Sequence, residues 1–446
     1  MKLEKLVAFF YIWLLAEGAV RKWIFPSFTD ALYFVKYLLI IIIFIRLREY
    51  KKKKTPYSEI KIPISVFVLF CCLSLFYTTV INNPLVGALG ILAYLCFIPA
   101  TMALPYFINT EEKLKKLVIT LAIISIGVCI LAIWQYNSPY DAFINKYATN
   151  EQSDIATAGL AGSEVVRVTT LFSYHSGNAV FAVFSFIFIF SLLFEKQKKI
   201  LIRNLIYVSF GLSVINLFMT GSRAAVFVAF SVVAAFMLFK SVYFIKNTRV
   251  LGGLILMLTL TGITILYTDQ GKKAFDTWNV RYEAGNENNE YESRNSVLLA
   301  EIYDAIFAPP GGLMGFGIGT YQNGSSRFNK IHDLPGAEDQ AYRIGLEIGP
   351  FGLILWFMMM LAIFIYSFRV YRFVKTPFLK NLSLLLAFYA FWGPALYRQT
   401  VVNWVDNATW WTCLGIVLSI KQIEVNKRNL KLKKNSLVSQ ATEVIQ

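Results

Sequence analysis

The sequence predicts an all-α, polytopic integral membrane protein with about twelve transmembrane helices and a long external loop between spans nine and ten. Composition comes first: of 446 residues, 57% are hydrophobic and 16% charged, and mean hydropathy is +0.55. A soluble domain of this length carries far more charge. Apolar runs such as 171–194 and 341–368 are also long enough, as helices, to cross a hydrocarbon layer roughly 30 Å thick. Finally, the cationic runs Arg46 to Lys54, Lys196 to Arg203 and Lys427 to Lys434 sit in short connections and in the tail, where they act as topology signals. That placement excludes nucleic acid as a partner, although a net charge of +16 would suggest it in a soluble chain.

The spans fall at about 6–20, 28–45, 62–80, 85–107, 117–135, 171–194, 204–219, 224–239, 250–267, 341–368, 381–397 and 402–420, by the window reasoning that seeks apolar runs near twenty residues. The first stretch lacks a small-residue cleavage pattern and runs into Glu17 and Arg21-Lys22-Trp23, so it reads as a retained span. With the N-terminus in the cytoplasm, the inside segments hold 29 Lys and Arg and the outside segments 12, while Lys36 and Arg343 fall within spans. Both ends are therefore expected in the cytoplasm, with 421–446 as a basic tail. No tandem repeat or low-complexity tract divides residues 1–446, which form a single transmembrane domain.

Two external loops are long, 136–170 and 268–340, and connections of that length are usually functional or disordered. In the second, Val297, Leu298, Ile302 and Ile306 repeat with helical spacing after Ser293. An amphipathic helix there could lie on the membrane or cap a cavity, ending at Pro309-Pro310-Gly311-Gly312. The five cysteines lie inside apolar runs with no CxxC, which supports neither a disulfide framework nor zinc. The acidic run Glu283 to Glu292 lacks EF-hand spacing, so no metal is expected.

Several polar residues could carry chemistry, each with a plainer alternative. Arg223 follows Thr220-Gly221-Ser222 and is flanked by apolar helix; a cation near lipid depth implies an anion or an aqueous cavity, unless it snorkels to the interface. Arg167, just before span six, could bind substrate or anchor a helix start by headgroup contact. His175, some two turns into that span, reads as a neutral packing histidine. Arg281, Arg294 and Arg327 in the large loop carry the fork best matched to phosphate, or are solvated surface charges. Gly315-Phe316-Gly317-Ile318-Gly319-Thr320 has no following Lys-Ser/Thr, so a nucleotide loop is rejected in favour of close packing of a bent backbone. Glu338-Asp339-Gln340 opens span ten: a carboxylate there could be a general base or could cap the helix, with Arg343 and Glu347 paired one turn apart. Tyr321, Trp278 and Trp404 could stack on sugars or belong to the interfacial aromatic belt.

Taken together, Glu17-Gly18-Ala19-Val20-Arg21-Lys22-Trp23 with Pro26, the Arg167 to Gly177 segment, Thr220-Gly221-Ser222-Arg223, Arg294 ahead of Pro309, Gly315 to Gly319 and Glu347-Ile348-Gly349-Pro350-Phe351-Gly352 resemble the bacterial O-antigen polymerase and ligase family. The likeness is spread over most of the chain. It implies a GT-C-like helical fold in the bacterial inner membrane, with a cavity facing outward and metal-independent, inverting transfer of glycan from undecaprenyl diphosphate without a cofactor. By motif, Arg223 and Arg294 match the arginines that hold the donor diphosphate; Arg167, Arg281, Arg327, Arg343 and His332 would line the substrate site. Ligases of the family carry His-Asn nine residues before Glu-x-Gly, where this chain has Glu338-Asp339. That departure moves the base role to Glu338, with His332 as a less aligned substitute, and favours a polymerase of repeat units over a ligase. A transporter or flippase of anionic glycolipid is the rival from another class; chain-length regulator and flippase proteins would be partners of a polymerase.

Overall fold

The computed structural model describes residues 3–50, 59–148, 166–240 and 300–445, save 196, 198, 323, 332, 333, 338, 393–400 and 402, together with the isolated positions 259, 262, 272 and 275. Among them every regular element is helical. In chain order these are α1 (Leu3–Ala19), α2 (Thr29–Tyr50), α3 (Lys61–Ile81), α4 (Pro84–Leu95), α5 (Ile98–Phe107), α6 (Glu111–Asn137), α7 (His175–Leu192), α8 (Ile200–Met219), α9 (Arg223–Phe239), α10 (Gln340–Phe373), α11 (Pro377–Trp392) and α12 (Trp404–Ile445). Seven helical segments among the described residues are long and apolar enough to cross a membrane: Pro26–Glu49, Lys61–Ile81, Pro84–Phe107, Glu111–Asn137, His175–Leu192, Ile200–Met219 and Gln340–Phe373. This is an all-α, multi-pass membrane protein.

The elements depart from the expected spans in instructive ways. The run 85–107 is two helices, α4 and α5, parted at Cys96-Phe97 ahead of Pro99, where a ring without an N–H interrupts the ladder. His175 is the first residue of α7 rather than two turns inside it. Span 402–420 and the basic tail are one helix, α12. The expected span 250–267 lies outside the described residues, apart from isolated positions.

The bundle has two ends of different chemistry. At one, Lys115 bridges Glu111 (2.8 Å) and Glu195 (2.5 Å), Lys427 pairs with Glu111 (2.5 Å), Lys421 meets Glu59, and Arg428 donates to the Phe373 carbonyl (2.7 Å). The first turns of the expected tail thus tie α12 to the starts of α3 and α6 and the end of α10. At the other end lie the α1–α2, α3–α4, α6–α7 and α8–α9 connections and the starts of α10 and α12.

Residues 315–319 are packed at that second end as the bent-backbone reading expects. Gly315, Gly317 and Gly319 have φ of +67°, +98° and +93°, values that favour glycine. A Cβ at Gly319 would meet the Val86 carbonyl at 2.0 Å, and one at Gly315 the Leu346 carbonyl at 2.4 Å. The loop is thereby wedged between α4 and α10. α10 itself is broken at Gly349 (φ +70°, ψ 177°), just before Pro350, and glycine is required there because a Cβ would strike the Leu313 carbonyl at 2.1 Å.

Residues 300–307 form a helix whose Ile302 and Ile306 face the core. Ala305, fully buried, packs on Gly345 of α10. The expected amphipathic element therefore lies against the bundle, while Val297 and Leu298 fall outside the described residues.

Gly319→Ala is expected to destabilise the protein by about 3 kcal/mol or more, since it combines a strained φ with a clash against backbone. Thermal unfolding in detergent checks this; a midpoint equal to wild type would show that the loop is not wedged as described.

Candidate functional site

At the second end a polar network is buried where apolar packing would be the default. Glu17, in the last turn of α1, and Lys36, in α2, are both inaccessible to solvent and meet at 3.0 and 3.2 Å. Arg21, one turn after Glu17, adds a second contact at 3.1 Å. It sits in a π-helical turn, Val20–Ile24, that ends α1. Two cations on one carboxylate satisfy a charge that would be prohibitive alone in apolar surroundings. Gly18 has a specific reason: a Cβ would fall 2.4 Å from the Leu171 carbonyl and 2.5 Å from the Ser173 amide. The close approach lets Arg21 donate to Ser173 Oγ (3.1 Å).

From there the network runs into the segment before α7. Lys22 Nζ donates to Thr169 Oγ1 (2.9 Å) and to the Thr170 carbonyl (2.5 Å), and burial pushes its ammonium pKa well down. Thr170 has φ +50°, an uncommon backbone for a β-branched residue. Gln135 Oε1 holds it by its amide (2.7 Å), and its hydroxyl donates to Asn178 Oδ1 (3.0 Å). Asn178 pairs in turn with Asn216 of α8 (3.1 Å).

Two of the expected cations lie at the α8–α9 turn. Arg167 Nε donates to the Thr220 carbonyl (3.3 Å), and its side chain lies over Gly221 (φ +61°), where a Cβ would sit 3.2 Å from Nε. Ser222 caps α9 by accepting from the Ala225 amide (3.3 Å), so Arg223 opens the helix two residues beyond the position Arg167 covers. Beside them Tyr147 OH and His175 Nδ1 are 3.1 Å apart. Burial raises the Tyr147 phenol while Arg167 opposes the shift.

The start of α10 holds a second cluster. Asp339 caps it by accepting from the Ala341 (2.7 Å) and Tyr342 (3.3 Å) amides, as the capping alternative expects; burial nonetheless raises its carboxyl, with those amides opposing. Arg343 and Glu347 are not paired. Arg343 donates to the Ala337 (2.5 Å) and Tyr321 (3.5 Å) carbonyls. Glu347, fully buried, accepts from Tyr94 OH (2.8 Å), the Tyr321 amide (2.8 Å) and Gln322 Nε2 (3.2 and 3.3 Å). The wedged glycine loop delivers the last two donors, which is why an i,i+4 rule misjudged this pair.

A cleft opens between the two clusters. It is narrow, with a volume of about 20 Å³, and is lined by Tyr33, Tyr37, Phe97, Trp404, Gln322 and Asn407, with apolar residues of α4. Lys36 lies behind three of its rings: Nζ is 3.3 Å from the Tyr33 centroid, 4.6 Å from Trp404 and 5.1 Å from Tyr37. Gln322, bound to Glu347, forms part of the facing wall.

Of the residues expected to bind or react, Arg167 and Arg223 share one turn and Arg343 stands beside the cleft wall. Arg327 is two-thirds exposed, 3.7 Å from Asp30, the solvated surface charge its plain reading predicts. Glu338, His332, Arg281, Arg294 and Trp278 lie outside the described residues. Tyr321 is engaged through its hydroxyl with the Pro335 carbonyl (2.9 Å), whereas Trp404 lines the cleft. Sequence reasoning missed Lys36 and the role of Glu17. The signal was there: an ionisable residue inside each of two consecutive apolar runs is best explained by the pair. Among the described residues no group of three His, Cys, Asp or Glu is placed to hold a metal ion.

No family model matches the chain, and no curated protein matches it.

Lys36→Met is expected to cost about 3–5 kcal/mol, because it removes one of the two cations on a fully buried carboxylate. Adding Glu17→Gln should deepen that loss, since Arg21 then stays buried without its carboxylate. Unfolding midpoints of the single and double variants in detergent check the pairing; equal losses from both would refute it.

Proposed function

We propose that this protein is a polymerase of surface-polysaccharide repeat units, transferring glycan from an undecaprenyl-diphosphate donor to an acceptor sugar hydroxyl on the outer side of the bacterial inner membrane. The observation that carries the reading is the placement of Arg167, Arg223 and Arg343 at the same end of an apolar bundle as an aromatic cleft. Cations at that depth suit a lipid-borne anion, and guanidinium forks suit a diphosphate.

In this reading the chain crosses the membrane twelve times with both ends cytoplasmic. The basic end of the bundle supports that orientation, as cations are retained on the cytoplasmic side. Phe239 packs against Phe368 and Tyr371 toward that end, whereas Ala305 packs on Gly345 near the other. That placement is in keeping with the expected span at 250–267.

Chemically, Arg223 and Arg294, with Arg167, would stabilise the charge that builds on the departing diphosphate, a preorganised electrostatic contribution. Glu338 would take the proton from the acceptor hydroxyl as its oxygen attacks the anomeric carbon. The bond to the diphosphate breaks as the new glycosidic bond forms, so the lipid carrier supplies the energy and no ATP is needed. Burial of the sugars under the 268–340 loop would limit hydrolysis.

One observation favours a second reading. Transporters bind substrate at discontinuous helices, and α10 is discontinuous at Gly349. In that reading the same arginines bind an anionic glycolipid for translocation alone.

Arg223→Ala and Arg294→Ala, at normal membrane levels, should each abolish polymer in a deletion strain; full-length polymer from both would refute the diphosphate clamp. Glu338→Gln should stop turnover, and wild-type turnover would remove it as base. Purified protein in liposomes with defined lipid-linked repeat units separates the readings: chain lengthening marks a polymerase, and relocation of unaltered substrate a transporter. In cells lacking the protein, single-repeat caps indicate a polymerase, whereas accumulated lipid-linked polymer indicates a ligase.

A further inference from the structure

We infer that the seam where α9, α10 and α11 meet is a binding site for one anionic phospholipid of the leaflet at the basic end of the bundle, with its phosphate held by Lys240 and Lys380 and an acyl chain laid along Phe239, Phe368 and Phe364. The inference rests on that end lying at a membrane surface and not on the proposed reaction.

Two ammonium groups converge on one ring at this seam. Lys240 closes α9, and its Nζ lies 5.5 Å from the centroid of Tyr371, in the last turn of α10. Lys380, in the first turn of α11, reaches the same ring at 5.0 Å. Both side chains are half-buried. Burial lowers the Lys240 ammonium pKa, and Lys380 lowers it further, as a nearby like charge does. Such repulsion grows where water is partly withdrawn, and an anion placed beside the two cations reverses it. Carboxylates of this end are committed elsewhere: Glu111 to Lys115 and Lys427, Glu195 to Lys115, Glu59 to Lys421 and Glu424 to Arg428. None of these pairs includes Lys380. Arg372, exposed one turn beyond Phe368 on α10, adds to the positive charge.

From the ammoniums toward the apolar middle of the bundle the seam is paved with rings. Phe239 meets Phe368 edge-on at 5.3 Å and Phe388 of α11 at 6.2 Å. Phe364, one turn deeper in α10, meets Phe368 at 6.0 Å and Phe391 of α11 at 4.9 Å. Phe239 and Phe391 are 48% and 42% exposed, so the row of rings opens outward where lipid chains lie instead of filling the core. Ammonium first and rings after is the order of a phospholipid read from phosphate to chain. Basic recesses between transmembrane helices suit anionic head groups, and apolar rings gain by covering hydrocarbon. A free phosphate would use the lysines and leave the rings unused. A zwitterionic lipid would bring its own cation to a place that already holds two.

The test uses the full chain in an uncharged detergent, with native mass spectrometry reading lipid occupancy as phosphatidylglycerol, or phosphatidylcholine with the same chains, is titrated in. Phosphatidylglycerol should bind at least about tenfold more tightly, and the double variant Lys240→Gln/Lys380→Gln should lose that preference. Without lipid the double variant should unfold at or above the wild-type midpoint, because it is relieved of a like-charge pair. Lys380→Arg keeps the charge and should keep the preference. Lys116→Gln/Lys431→Gln removes two exposed lysines of the same end and should leave the preference within about twofold. Phe368→Ala should weaken both lipids alike. Polymer formation is not the readout, so failure here leaves the proposed reaction standing, and failure of that reaction leaves this site standing. Equal binding of the two lipids, an unchanged preference in the Lys240/Lys380 variant, an equal loss in the Lys116/Lys431 variant, or displacement of phosphatidylglycerol by inorganic phosphate beyond that by chloride of equal ionic strength would overturn the proposal.

Discussion

The contact on which the second end of this bundle depends is the buried triangle of Glu17, Arg21 and Lys36. A carboxylate at zero exposure is tolerated only when opposite charge reaches it without water. Each arm of the triangle fixes something different. Lys36 joins α2 to α1 and supports the rings of Tyr33 and Trp404. Arg21 carries the network to Ser173, and Lys22 carries it on to Thr169 and Thr170. The loop before α7 is thereby fastened to the N-terminal hairpin, and Arg167 at its root is brought over the α8–α9 turn. A chain of buried polar contacts thus runs from the ion pair to within two residues of Arg167.

The start of α10 is organised by the opposite device, absence of side chains. Gly315, Gly319 and Gly349 allow backbone to press against backbone, and Gly317 admits the Thr78 side chain, where any Cβ would collide. The wedge they make delivers the Tyr321 amide and the Gln322 side chain to Glu347. A carboxylate satisfied by one phenol, one amide and one carboxamide needs no cation, which leaves Arg343 to its carbonyl partners. The break in α10 is the geometric consequence of admitting Leu313 so closely. It serves the packing of the loop whatever further use the protein makes of it.

These two devices meet across the cleft. One wall is aromatic and supported by the Lys36 cluster; the other is polar and oriented by Glu347. Together with the arginines of the α8–α9 turn, they give one end of an apolar bundle the mixed character suited to an amphipathic, anionic, sugar-bearing lipid, and this is the physical sense of the proposed polymerase.

Composition and apolar run length alone determined the all-α, multi-pass class, because the cost of leaving backbone unbonded in hydrocarbon allows such runs little but a helix. Spacing and side-chain chemistry also made the Asp339 cap and the packed 315–319 loop legible, since each depends on residues near in sequence or on glycine itself. Only the tertiary structure decided the pairing of Glu17 with Lys36, the four contacts that Tyr94, Tyr321 and Gln322 make to Glu347, and the meeting of Arg167 with the turn before Arg223. Those partners are far apart along the chain, and no local rule ranks one distant donor above another. The sequence shows that a buried charge must be answered; which residue answers it depends on how the helices are placed side by side.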